Sequence, residues 1–177
     1  MEIPARRRVL LAVCAITIAA TVLRPQVAAA LVSRGDEFLG RGDAASARMY
    51  YKRAMTVDRD SRTAVDRFAF SGAMSHERPL LHQALAAVTD YLSDHAADAP
   101  LLEDRALCYQ LIGRFSDAAS DFAAAASVTG SARDFTFAGW AEFRAGNRSR
   151  ARRLWREALS HSPAYGPARA ALRKVPS

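Results

Sequence analysis

The sequence predicts an all-α protein assembled from repeated helix hairpins, and three observations carry that expectation. Half of the 177 residues are apolar, while nine Gly and seven Pro are too few for a loop-rich or disordered chain. Alanine, the strongest helix former, is abundant throughout. A spaced set of small and aromatic residues also recurs along the chain, and recurrence at a fixed interval is the mark of repeat architectures.

The N-terminal element is read from charge and hydropathy. Arg6, Arg7 and Arg8 precede residues 9–23, a run without a single charge. Arg24 and Pro25 follow, then a second apolar stretch at 27–32. Positive charge ahead of an apolar run marks a secretory signal or a signal anchor. Fifteen helical residues rise about 22 Å, short of a hydrocarbon core of about 30 Å. Extension into 24–32, with Arg24 snorkelling to the interface, completes a span. Residues 1–27 are therefore expected to be a retained anchor, because 27–32 runs unbroken into the first repeat helix. Cleavage near Ala28, Ala29 and Ala30 is the alternative and gives a soluble periplasmic binding module. The positive-inside rule keeps the Arg cluster cytoplasmic and places the rest outside, in the periplasm beyond a bacterial inner membrane. Cys14 lies in the apolar run and Cys108 in a helical stretch, too far apart in character to be a disulfide pair.

The next elements are fixed by spacing. Gly42, Gly113 and Gly146 each precede an Ala by five residues, an aromatic by nine and a second Ala by twelve. The sets are Ala47, Tyr51 and Ala54; Ala118, Phe122 and Ala125; and Ala151, Trp155 and Ala158. Offsets of four, three and seven lie on one helix face. Small alanines allow a partner helix close, the aromatic fills the remaining space, and the leading Gly suits a left-handed turn position. Pro163 closes the last helix, since it cannot continue the hydrogen-bond ladder.

These residues resemble the tetratricopeptide repeat family, whose unit is a helix–turn–helix of about 34 residues. Phe38, Tyr109 and Gly139 stand on the upstream helices where the family has an aromatic or a small residue, although its Trp-x-x-Leu-Gly opening is lost. The resemblance implies a right-handed α-solenoid of about four hairpins over 28–165, divided at 28–61, 62–98, 99–131 and 132–165. A short capping helix and tail would occupy 166–177. The second repeat is degenerate. It is read from Ala87 and Tyr91, with Pro100 closing it and extra residues expected in the turn at 75–79.

No catalytic set emerges. His76, His82, His95 and His161 are scattered and lack metal-ligand spacing, and there is no phosphate loop or nucleophile elbow. The expectation is therefore a non-catalytic interaction scaffold with no cofactor and no metal, anchored in a membrane and docking onto subunits of a larger membrane or envelope assembly. The resemblance implies a groove lined by the first helix of each hairpin. By spacing it would present Asp36, Leu39, Asp66, Phe70, Glu103, Leu107, Gln110, Arg133, Trp140 and Phe143 to a protein partner.

Charge adds a second surface. Residues 25–140 hold 12 basic and 15 acidic residues, whereas 141–177 hold nine basic residues against Glu142 and Glu157. That asymmetry argues against a general nucleic-acid binder. Arg148, Arg152 and Arg156 recur at helical spacing, a basic face suited to anionic lipid or an acidic partner. Of the 25 basic residues only Lys52 and Lys174 are lysine, an excess of arginine that fits a GC-rich genome, for which a bacterium is the natural guess.

Overall fold

The computed structural model describes the backbone of residues 5–175 and the side chains of 21–175. Among the described residues there are nine helices and no strand. They run α1 (Ala5–Gly40), α2 (Ala44–Val57), α3 (Arg62–Ser75), α4 (Arg78–Asp94) and α5 (Ala99–Leu111). The chain continues through α6 (Phe115–Thr129), α7 (Ala132–Arg144), α8 (Arg148–His161) and α9 (Gly166–Lys174). Two compact units are formed, Met1–Arg67 and Phe68–Ser177.

Local chemistry sets the helix ends. Asp43, Asp98 and Ser131 each accept a hydrogen bond from the backbone N–H three residues on, which caps α2, α5 and α7. Pro79, Pro100 and Pro167 sit in the first turns of α4, α5 and α9, where a missing N–H costs nothing. The expected glycine turns are present: Gly42, Gly113 and Gly146 have φ of 82°, 84° and 88°. Each turn is closed in the same way. Asp43 N–H donates to Phe38 O, Arg114 N–H to Tyr109 O and Asn147 N–H to Glu142 O, at 2.8–2.9 Å.

The repeat unit is a lock between a small residue on the first helix and an aromatic on the second. In the first unit, α1 packs on α2 with Gly35 against Tyr51. A Cβ at Gly35 would lie 2.4 Å from the Tyr51 ring. In the second unit, a Cβ at Gly139 would lie 2.3 Å from Trp155 Nε1. Where the aromatic is the smaller Phe122, the small residue is Ala106, fully buried in the same cluster. Ala47, Ala54, Ala118, Ala125, Ala151 and Ala158 are all fully buried, as their close-approach role requires.

The second hairpin departs from the expected register. The buried face of α4 is Leu81, Ala84, Leu85, Val88 and Leu92. Ala87 and Tyr91 are only half-buried, and Tyr91 stacks on His95 at 4.1 Å. The lock here is Gly72 against Ala84, with Val88 in the aromatic's place; a Cβ at Gly72 would lie 3.0 Å from that of Ala84. Twelve residues separate Gly35 from Ala47, Gly72 from Ala84, Ala106 from Ala118 and Gly139 from Ala151. The hairpin turn at 75–79 therefore holds no extra residues. They fall between Ala47 and Gly72, a separation of 25 where Ala84 to Ala106 is 22. The turn itself is built differently, with His76 at φ 54°.

Sequential packing builds the second unit: α4 on α5, α5 on α6, α6 on α7, α7 on α8, and α8 on α9. Arg105 on α5 donates twice to Asp121 on α6, at 2.7 and 2.8 Å, with both side chains largely buried. The expected N-terminal apolar segment lies mostly outside the residues with described side chains. Among the described residues, no helix is long and apolar enough to cross a membrane.

Candidate functional site

A helix turns about 100° per residue, so position relative to the small lock residue decides where each side chain points. Residues four beyond it lean back toward the second helix. Residues one and five beyond, or two and six before, lie between about 100° and 160° away and face outward.

In the second unit that outward face is a row of apolar side chains. Leu107 and Leu111 of α5 are 46% and 42% exposed, and Phe137 of α7 is 43% exposed. On α3, Phe70 is 48% and Met74 62% exposed. Exposed apolar residues clustered on successive first helices are more than the scattered exposure every surface carries. Phe137 also leans on buried Phe122, ring centroids 5.6 Å apart, which fixes its orientation.

A charged bridge crosses the same face. Arg133 Nη2 of α7 donates to Glu103 Oε2 of α5 at 2.5 Å, and Arg133 Nε to Asp134 Oδ1 at 2.8 Å. Asp134 is buried, and its backbone N–H donates to the Ser131 hydroxyl. Burial, reinforced by the neighbouring Asp134 charge, holds the Glu103 carboxyl above its ordinary range, against the pull of Arg133.

Several expected groove residues are placed elsewhere. Phe143 stands four beyond Gly139 and so turns inward, packing on the α8–α9 cluster with Trp155 at 6.3 Å. Trp140, one beyond Gly139, is half-buried at the border: it packs on the same cluster, 5.0 Å from Trp155. Gln110 and Leu39 share Phe143's phase and are half-buried. Asp36 in the first unit accepts a hydrogen bond from the Tyr51 hydroxyl at 2.8 Å and pairs with Arg67 Nε at 3.2 Å. Burial, with Asp36 assisting, pushes the Tyr51 phenol up. Asp66 is half-buried on α3. Of the expected set, Phe70, Glu103, Leu107 and Arg133 belong to the outward face or its charged bridge. Leu111, Phe137 and Met74 escape the sequence reading, although Leu111 lies four beyond Leu107 and Phe137 four beyond Arg133, a readable helical stripe.

The basic face is also divided. Arg148 and Arg156 are exposed. Arg152 is half-buried and donates to the carbonyl oxygens of Leu172, at 3.4 Å, and Val175. A cation on the terminal carbonyls of α9 is a C-cap and answers the helix dipole. It holds the capping helix instead of serving a free surface.

Among the described residues, no group of three or more His, Cys, Asp or Glu could hold a metal ion. His95 is stacked on Tyr91, and His161 on Phe135 at 5.0 Å. Cys108 is fully buried, and burial pushes its thiol up to about 12.

No protein-family model matches the chain, and no curated protein matches it. Solved structures do. A tetratricopeptide repeat protein from Parabacteroides merdae aligns with a TM-score of 0.66 at 22% identity, over 82% of this chain and 57% of its own. A MamA protein aligns with a TM-score of 0.67 at 20% identity, over 78% of this chain and 75% of its own. The fold is that of tetratricopeptide repeat proteins. YrrB, described as a tetratricopeptide protein with an unusual peptide-binding site, aligns at 0.50 and 18% identity, over 81% of this chain and 90% of its own. The chain spans little more than half the length of the Parabacteroides protein. Such identities speak for the tetratricopeptide fold alone.

Proposed function

We propose that this tetratricopeptide chain is a non-catalytic scaffold, anchored in a membrane by its N-terminal segment, that docks extracytoplasmically onto protein subunits of a larger envelope assembly. The observation that carries the docking half is the outward row of Leu107, Leu111 and Phe137, crossed by the Glu103–Arg133 bridge. A row of exposed apolar side chains on successive helices offers anchoring contacts to a partner segment, with the ion pair supplying orientation. YrrB's described peptide-binding site is a precedent for the same use of the fold.

Two features of α1 support the anchor. Val22, Leu23 and Val27 are 47–55% exposed, apolar surface that continues the N-terminal apolar run. Ala28 and Val32 are buried at 0% and 5%, so cleavage after Ala30 would remove part of a packed helix.

The deciding experiment is quantitative co-purification from detergent-solubilised membranes with wild type and a Leu107→Asp/Leu111→Asp variant. Partner recovery should fall by about tenfold or more, the scale of losing an interface anchor, with circular dichroism unchanged. Undiminished recovery refutes the groove. A reporter fused after Ser177 that registers as cytoplasmic refutes the topology, and a mature chain beginning near Leu31 refutes the retained anchor.

A further inference from the structure

The outward row of the second unit has two chemically different ends, and their order narrows what can lie on it. Glu103, Leu107 and Leu111 succeed one another at four-residue intervals along α5, about one helical turn or 6 Å apart. Arg133 and Phe137 repeat the same interval on α7. The polar end therefore stands at the N-terminal turns of α5 and α7, and the apolar end lies one and two turns further on.

The polar end is negative. Glu103, Asp104 and Asp134 lie there with Arg133 and Arg105, and Arg105 is turned to Asp121 on α6. With Asp121 included, four carboxylates stand against two guanidiniums. Arg133 is divided between Glu103 and the buried Asp134. One guanidinium between two carboxylates leaves their repulsion partly unrelieved: burial, and then the Asp134 charge, hold the Glu103 carboxyl above its ordinary range despite Arg133. Glu103 keeps 26% of its side chain exposed, so a second cation can reach it. The other end of the row carries the opposite sign. Arg144, five beyond Gly139, is exposed there and lies over the Phe115 ring at 4.3 Å.

We infer that this row receives an extended partner segment that is basic at one point: an Arg or Lys beside Glu103, with apolar side chains at the second and fourth residues from it, against Leu107 and Leu111. The inference rests on the docking role proposed above and adds the chemistry of the partner. Alternate residues of an extended chain share one face at intervals of about 6.6 Å, close to the turn spacing of α5. The apolar side chains gain by covering the exposed leucines and Phe137. The cation completes a cluster short of positive charge and so fixes the register of the segment. An acidic residue in its place would add a fifth carboxylate to the cluster.

The probe is a fluorescein-labelled peptide, Leu-Ser-Leu-Ser-Arg-Ser-Leu-Ser-Leu, whose central Arg serves either chain direction. It is titrated with the detergent-solubilised full chain and read by anisotropy, with protein-free micelles as the blank. Peptides with Gln or Glu in place of the Arg are run beside it. Binding should be saturable, about tenfold tighter for the Arg peptide than for the Gln peptide, and weakest for the Glu peptide. Glu103→Gln should largely remove that preference by weakening the Arg peptide alone. Asp104→Asn, which keeps both partners of the Glu103–Arg133 bridge, should reduce it too. Leu107→Ser/Leu111→Ser should weaken the Arg and Gln peptides alike, by about tenfold, with circular dichroism unchanged in all variants. Equal binding of the Arg and Gln peptides overturns the inference, as does a preference for Arg that survives both acidic-site variants. If Leu107→Ser/Leu111→Ser still weakens both peptides in that case, the docking role stands without the basic partner. Absence of saturable binding by the Arg peptide also overturns the inference, and the co-purification then decides the docking role by itself. Binding indifferent to Leu107→Ser/Leu111→Ser sinks both.

Discussion

Gly139→Ala is the sharpest test of the small-residue lock, because a single methyl group is added where there is no room for it. The new Cβ would lie 2.3 Å from Trp155 Nε1, 2.5 Å from Cδ1 and 2.9 Å from Cε2. Ordinary carbon contacts sit at about 3.5–4.0 Å, so the indole must retreat by about an ångström. It has nowhere free to go. Trp155 is fully buried, packed on Trp140 and Phe143, and its Nε1 donates to Thr136 O at 3.2 Å. Overpacking a core in this way costs about 1–3 kcal/mol, and weakening the indole hydrogen bond adds about 0.5–1.5. Replacing a helical Gly by Ala returns about 1. The net expectation is a loss of about 0.5–3.5 kcal/mol, measured by urea denaturation followed by circular dichroism and tryptophan fluorescence.

The same reasoning fixes the rescue. In the neighbouring repeat the lock is Ala106 against Phe122. Gly139→Ala/Trp155→Phe rebuilds that pair, so the double variant should be more stable than the sum of the single losses, by about 1–3 kcal/mol of coupling. An unchanged midpoint for Gly139→Ala, or strict additivity in the cycle, would show that the small residue is not selected by the aromatic it faces.

Asp121→Ala should cost about 3–5 kcal/mol in the same denaturation assay, because Arg105 would be left charged and largely buried without its two hydrogen bonds. Arg152→Ala should raise amide exchange in α9 selectively, by uncapping the carbonyls of Leu172 and Val175, while α5 to α7 stay protected. In a Cys14→Ser background, the Cys108 thiol should resist iodoacetamide at neutral pH until the chain is unfolded. Its raised folded value also has a stability consequence. The folded chain holds that proton more tightly than the unfolded chain, so stability is intact below the ordinary thiol range and declines as pH rises from there toward about 12. Cys108→Ala should flatten that decline in urea melts run across the alkaline range.

What sequence makes legible is whatever depends on helical phase within one segment. Gly42, Gly113 and Gly146 identify their turns because left-handed backbone is cheap only for glycine. The Ala–aromatic–Ala sets identify the buried faces because a 3.6-residue period leaves little choice. The second hairpin is misphased from sequence because Val88 replaces the aromatic, so the eye falls on Tyr91, the nearest ring, three residues out of register. The true marker, Gly72, looks like any helical glycine until its contact with Ala84 is visible. Asp36 and Arg152 look like surface residues because charge suggests solvent, and nothing local announces a partner 15 or 20 residues away.

The groove is half legible for a related reason. On each first helix the core-facing lock position and the outward positions alternate within a single turn, so an error of one phase step exchanges a binding residue for a packing residue. Phe143 illustrates the exchange, being aromatic and on the correct helix yet four beyond the lock and leaning on the Trp155 cluster; Trp140 shares Leu107's phase but leans on the same cluster because Trp155 is large enough to reach it. Truncating Trp140 would therefore damage the core and depress any binding signal for the wrong reason, at a cost of about 3–5 kcal/mol typical of a fully buried Trp and less for one half-buried. Leu107 and Leu111 carry no such ambiguity, being exposed and on the outward phase. Because the lock residues and the outward residues occupy different phases of the same helix, the outward chemistry can vary freely while the hairpins stay closed. That separation is the physical basis on which one helical scaffold can serve unrelated partners.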